Sequence, residues 1–166
     1  MDPMEYIVPN RKRLPYGMMN FAVIRREDYY YVDKTRFIPM IEQADRFFFF
    51  IRPRRFGKSL LLSTMEAYFL GKRDLFKGLA IERLETEWNT HAVLHLDLNA
   101  EKYDSPERLH DMLEFQLRGW EETYGTGGKG ITHSGRFMEV IQRAYEKTGR
   151  GCLLYTSPSP RDTERS

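Results

Sequence analysis

At 166 residues the chain is the size of one domain, by a prior of roughly 100 to 200 residues each, so a multidomain machine is excluded. Apolar residues make up 41% and aromatics 14%, enough to fill a core and too many for a disordered chain. Lys and Arg outnumber Asp and Glu by 26 to 24, and a net charge of +2 gives no default attraction to nucleic acid or anionic lipid. No apolar run approaches the roughly 18 residues of a membrane span, and the first residues lack a basic and apolar leader. A cytoplasmic protein without membrane contact is expected. Cys152 is the only cysteine, which rules out an internal disulfide and a cysteine-based zinc site.

Residues 1–13, with Pro3, Pro9 and the run Arg11, Lys12, Arg13, read as an irregular N-terminal arm. Asn20 is placed to cap a short helix over residues 21–26, and Tyr29, Tyr30, Tyr31 and Val32 have the content of a short strand. Asp33 precedes a helix over residues 34–44 in which Pro39 marks a kink or the true start. Residues 47–51 are Phe, Phe, Phe, Phe and Ile, the pattern of a strand covered on both faces. Leu60, Leu61, Thr64, Met65, Tyr68 and Phe69 recur at helical spacing and stop at Gly71. A second buried strand is expected over residues 92–98, and Ser105 with Pro106 opens a helix carrying Leu109, Met112, Leu113, Leu117 and Trp120. After a glycine-rich loop at residues 125–130, a last helix carries Phe137, Val140, Ile141, Ala144 and Tyr145 and ends near Gly149, where another strand is due. Strands alternating with helices argue for an α/β fold with a mainly parallel sheet.

Residues 52–59 read Arg52, Pro53, Arg54, Arg55, Phe56, Gly57, Lys58, Ser59. They end in the last three positions of the phosphate loop G-x-x-x-x-G-K-[ST], with Arg52 where the first glycine stands. The tripeptide alone is a weak signal, and an apolar run before it with an amphipathic pattern after it strengthens it. Backbone N–H groups at the start of the following helix lack intrahelical partners and suit an anion. Lys58 is then suited to β- and γ-phosphate oxygens and the Ser59 hydroxyl to Mg²⁺. A basic turn in front of a core helix is the plain structural alternative.

Tyr30-Tyr31-Val32-Asp33-Lys34-Thr35, the apolar run, residues 52–59 and Asp74-Leu75-Phe76-Lys77-Gly78-Leu79 together resemble the AAA-ATPase-like family of bacterial P-loop proteins, over nearly all of residues 14–151. In that family the loop itself lacks its first glycine. The resemblance implies a P-loop NTPase-like three-layer α/β fold, nucleotide as partner and ATP with Mg²⁺ as cofactors. It implies a binding site at Pro53, Arg54, Arg55, Phe56, Gly57, Lys58 and Ser59, with Ser59 also reaching the metal through the nucleotide. It also implies a later strand ending in a Walker B acid pair, expected after Gly151. A C-terminal domain similar to PD-(D/E)XK nucleases usually follows, and through it alone would nucleic acid be a partner.

Asp33 has two readings, a helix cap and a nucleotide contact. Asp97 ends the second strand, where α/β ligand crevices form, but no second acid adjoins it. His91, His95, His110 and His133 share no metal-ligand spacing, and no catalytic residue is assigned. From Cys152 the composition turns to Ser, Pro and Arg, and residues 152–162 resemble the translated adapter of a sequencing library. Residues 152–166 are therefore expected to add nothing to fold or site, and the domain at 14–151 to stop before Walker B with an incomplete sheet. ATPase-type activity is expected of the intact protein and not of this fragment. The competing reading is a protein- or nucleic-acid-binding module that uses the basic loop from Arg52 to Arg55 without nucleotide.

Overall fold

The computed structural model describes residues 12–43, 50–51, 53, 56–97, 105–128 and 132–157. The chain divides into two compact units, one of Met1–Tyr68 with Lys72–Trp88, the other of Phe69–Gly71 with Asn89–Ser166.

Apart from one longer helix, the first unit is built from short helices. Helix α1, Phe21–Arg26, starts where expected, because the Asn20 side chain accepts a hydrogen bond from the Val23 N–H. The segment from Tyr29 to Val32 forms no strand. Its first amides are committed elsewhere: Tyr29 N–H donates to the Ile24 carbonyl and Tyr30 N–H to the Arg13 carbonyl. A turn bond to Ile24 and a bond to the earlier segment at Arg13 engage the backbone there, so aromatic and β-branched content does not decide the conformation. A single 3-10 turn, Thr35–Phe37, leads into α2, Ile38–Glu42, with Pro39 in its first turn. The proline therefore marks the true start of the helix, the place where its missing N–H costs nothing. Helix α3 spans Lys58–Phe69, and Gly71 just beyond it takes a left-handed φ of 67°. A second 3-10 turn, Arg73–Phe76, precedes α4, Ala80–Leu84. Of the expected central strand at residues 47–51, Phe47, Phe48 and Phe49 lie outside the described residues; Phe50 and Ile51 are described and are not in a strand.

Aromatic rings make the core of this unit. Phe21 and Phe76, neither exposed, stand 4.9 Å apart between ring centroids, and Trp88 lies 5.2 Å from Phe76 and 5.6 Å from Tyr68. Polar ties hold the backbone around them. Arg25 reaches from α1 to donate to the Leu75 carbonyl at 2.8 Å and the Lys77 carbonyl at 2.6 Å, and Ser63 Oγ of α3 accepts from the Phe21 N–H at 3.0 Å.

The second unit has longer elements. Strand β1, Val93–Asp97, pairs in parallel with β2, Leu153–Ser157, with Val93 opposite Leu153 and Asp97 opposite Ser157. Between them run α5, Pro106–Tyr124, and α6, His133–Thr148. Ser105 caps α5 with Pro106 at its start, Thr132 caps α6, and Gly149 closes α6 in a left-handed conformation. Met112, Leu117, Val140 and Ala144 are buried, and Trp120 meets Phe137 at 5.8 Å. The Tyr124 hydroxyl, at the end of α5, accepts from the Val93 N–H and donates to the Val93 carbonyl.

Strand β2 corrects one expectation. Residues 153–157 do contribute to the fold, although the composition change at Cys152 argued that nothing beyond it would. The reason is local: Leu, Leu, Tyr and Thr suit a pleated, half-buried strand, and a slot beside β1 follows a helix that Gly149 terminates. A parallel pair of strands joined through helices makes the chain α/β.

Candidate functional site

Residues 56–59 lie together at the start of α3. Gly57 has φ +76°, in the left-handed region, and a Cβ built there would meet no atom within 4 Å. Backbone conformation and not crowding therefore selects glycine at this position. The Gly57 carbonyl accepts the first helical bond, from the Leu61 N–H at 2.9 Å. The N–H groups of Lys58, Ser59 and Leu60 thus belong to the first turn, which has no intrahelical acceptor for them. A 12-residue helix adds the positive end of its dipole, and its first turn contains no acidic residue. Lys58 is half-buried, while Ser59 and Phe56 are exposed. Such a terminus can hold a multiply charged anion against main-chain donors, with a mobile ammonium and a hydroxyl beside it. Pro53 is exposed; Arg52, Arg54 and Arg55 lie outside the described residues.

Asp33 is engaged in another part of the first unit. Its Oδ1 accepts from the Thr35 N–H at 2.8 Å and from the Thr35 hydroxyl at 2.7 Å, and its Oδ2 accepts from the Ala80 N–H at 2.7 Å. Partial desolvation pushes this carboxyl up, but the bonds from Thr35 and Ala80, with the Arg25 charge, outweigh it and hold the group below its ordinary value. The buried Thr35 hydroxyl also accepts from the Ile81 N–H at 3.1 Å. Asp97 is the last residue of β1, in the second unit, and its side chain lies outside the described residues. Strand β2 ends in Thr156 and Ser157, with no acid pair.

Two positions escaped the sequence reading. Thr35 was visible only as the last residue of Tyr30-Tyr31-Val32-Asp33-Lys34-Thr35, though a Thr two residues after an Asp is a recognisable local hydrogen-bonding turn. Arg136 carried no signal, because its partners sit 15 and 22 residues earlier on α5. It joins Glu114 and Glu121 across the α5–α6 pair, and Arg118 bonds Glu114 at 2.8 Å. Bonds from Arg136 and then Arg118 hold the Glu114 carboxyl down to about 2. His133 faces the same carboxylate at 3.3 Å, and its ring lies 5.3 Å from that of His110. Among the described residues no group of three or more His, Cys, Asp or Glu could hold a metal ion, and no helix is long and apolar enough to cross a membrane.

A curated relative is named "Uncharacterized protein in vnfD 5'region", from Azotobacter chroococcum mcd 1. It is 36% identical over 148 residues, which cover 87% of this chain and 28% of the relative. The chain thus spans little more than a quarter of the length of the protein it resembles. No solved structure matches. The family described as "AAA-ATPase_like: Predicted AAA-ATPase" matches residues 15–155. The chain belongs to the AAA-ATPase-like family.

Proposed function

We propose that residues 56–59 are the phosphate-binding element of an ATP site, and that the chain is the nucleotide-binding part of an ATPase-type P-loop domain. One observation carries this reading: Gly57, Lys58 and Ser59 open a 12-residue helix whose first-turn amides have no helical acceptor, in a member of a family described as AAA-ATPase. In this reading the N–H groups of Lys58, Ser59 and Leu60 bind the phosphate oxygens. The Lys58 ammonium follows the β- and γ-phosphates, and Arg54 or Arg55, just before it in sequence, serves the γ-phosphate. The donor set fits the group, since main-chain amides and an ammonium suit phosphate and an aliphatic hydroxyl suits a hard cation. Ser59 is the residue that would hold Mg²⁺ through the nucleotide. When bound, that ion neutralises charge on the transferring phosphoryl group.

Binding and hydrolysis separate in this reading. The residues assigned so far hold phosphate, and none of them activates water. We propose in addition that residues 152–166 derive from an adapter; a strand slot accepts apolar, β-prone residues whatever their source. A clone of the gene obtained independently of the library reads this segment directly. An acid pair in place of Thr156 and Ser157 supports the adapter origin, and the same Cys152–Ser166 sequence ends it.

The experiment is a titration of a fluorescent ATP analogue with and without Mg²⁺, repeated with Ser59→Ala. Tighter binding with Mg²⁺ in the parent, and loss of that Mg²⁺ effect in Ser59→Ala, support the assignment. Saturable binding to a nucleic acid that is indifferent to ATP and Mg²⁺ supports instead the competing use of Arg52 to Arg55 as a nucleotide-free basic surface.

A further inference from the structure

The first two residues of α4 face a capping problem that their own segment does not solve. Leu79, at the N-cap position, has no side-chain acceptor, so the amides of Ala80 and Ile81 would be two of the unsatisfied donors at a helix start. Both are met by side chains from more than forty residues earlier: Asp33 Oδ2 takes the Ala80 N–H and Thr35 Oγ1 takes the Ile81 N–H. The Thr35 hydroxyl donates to Asp33 while accepting from Ile81, so the bonds form one chain in which each polarises the next. Thr35 is 1% exposed, and an unsatisfied hydroxyl there is expensive. We infer that Asp33 and Thr35 are a positioning pair that caps α4 from a distant segment, and that locking the segment at residues 74–81 onto the segment at residues 30–35 is their role, in place of a nucleotide contact for Asp33. Asp33 and Thr35 lie in one of the segments that carry the family resemblance, and the amides they bind directly follow another, Asp74 to Leu79.

Amide hydrogen exchange on the whole chain tests the lock directly. In Asp33→Ala the Ala80 amide is expected to exchange at least tenfold faster than in the parent, and in Thr35→Val the Ile81 amide likewise. Thr35→Ser, which keeps the hydroxyl, restores the parent rate. The Ile24 amide, bonded within α1 to the Asn20 carbonyl, reports whether each variant is folded. Should a variant fail that check, Thr35→Ser and Asp33→Asn carry the comparison. Parent-like exchange at both Ala80 and Ile81 in Asp33→Ala and Thr35→Val overturns the inference. A pH profile separates the carboxylate from mere packing. Because the folded-state value of Asp33 is lowered, its contribution is complete above the ordinary 3.8 and is lost as the pH falls through the lowered value. The charged and titratable neighbours are Arg25 and Tyr31, and acid loss of Ala80 protection must vanish in Asp33→Asn. A last arm rests on the proposed nucleotide site: Asp33→Asn should bind the ATP analogue like the parent. Lost affinity with intact Ala80 protection overturns the inference. No binding by the parent counts against the nucleotide site alone and leaves the exchange result to decide the cap.

Discussion

The two units of this chain reach order by different routes. In the second, α5 and α6 are long and amphipathic, each opened by its own hydroxyl cap, and the strands pair over five residues. In the first, α1, α2 and α4 have six, five and five residues, lengths at which a helix is not stable alone. Arg25, Asp33, Thr35 and Ser63 fix those pieces by bonding to backbone groups some 42 to 52 residues away. Periodic apolar patterning specifies the second unit; in the first, an aromatic centre supplies cohesion and polar side chains supply position.

That contrast can be broken most forcefully at the aromatic centre. Phe76→Ala should cost about 3 to 5 kcal/mol, since a fully buried ring that touches Phe21, Tyr68 and Trp88 leaves a cavity rigid side chains cannot refill. Urea unfolding followed by Trp88 fluorescence in a Trp120→Phe background reads this, and a loss under 1 kcal/mol would mean the rings are not a core. The second unit offers a polar counterpart. Tyr124→Phe removes the one hydroxyl that serves both Val93 groups, a loss of about 2 kcal/mol if no water replaces it. Faster exchange at the Val93 amide is the accompanying sign. Asn20→Ala should cost about 1 kcal/mol as a lost helix cap, visible in exchange at Val23. The smallest effect belongs to Arg136→Gln, because solvent still reaches these half-buried ion pairs and screens them. Its signature is pH: the Glu114 bond stabilises above the ordinary 4.5, and that contribution disappears as the pH falls through about 2. The parent should therefore lose more stability on acidification than Arg136→Gln, and parallel acid curves for the two contradict the bridge.

What the sequence disclosed follows the same division. Caps and periodicity located α1, α5, α6 and β1 closely, because Asn20, Ser105 and Pro106 act on their own neighbours. The Gly-Lys-Ser start of α3 was legible for the same reason. Tyr29 to Val32 misled, since their β-prone side chains say nothing of amides already bonded to Ile24 and Arg13. The task of Asp33 was visible only as a choice between two roles, because its partner Ala80 is 47 residues away. β2 was misjudged because a change of composition at Cys152 does not say whether a strand slot accepts the residues that follow.

The central claim, that residues 56–59 hold the phosphates of a nucleotide, meets its most direct test in the affinity of the parent and of Lys58→Ala for a fluorescent ATP analogue in Mg²⁺. Losing one charged hydrogen bond of about 1.5 to 3 kcal/mol predicts a roughly 10- to 150-fold weaker Kd for the variant, with unchanged unfolding by urea. Equal affinities in two equally folded proteins would contradict the assignment.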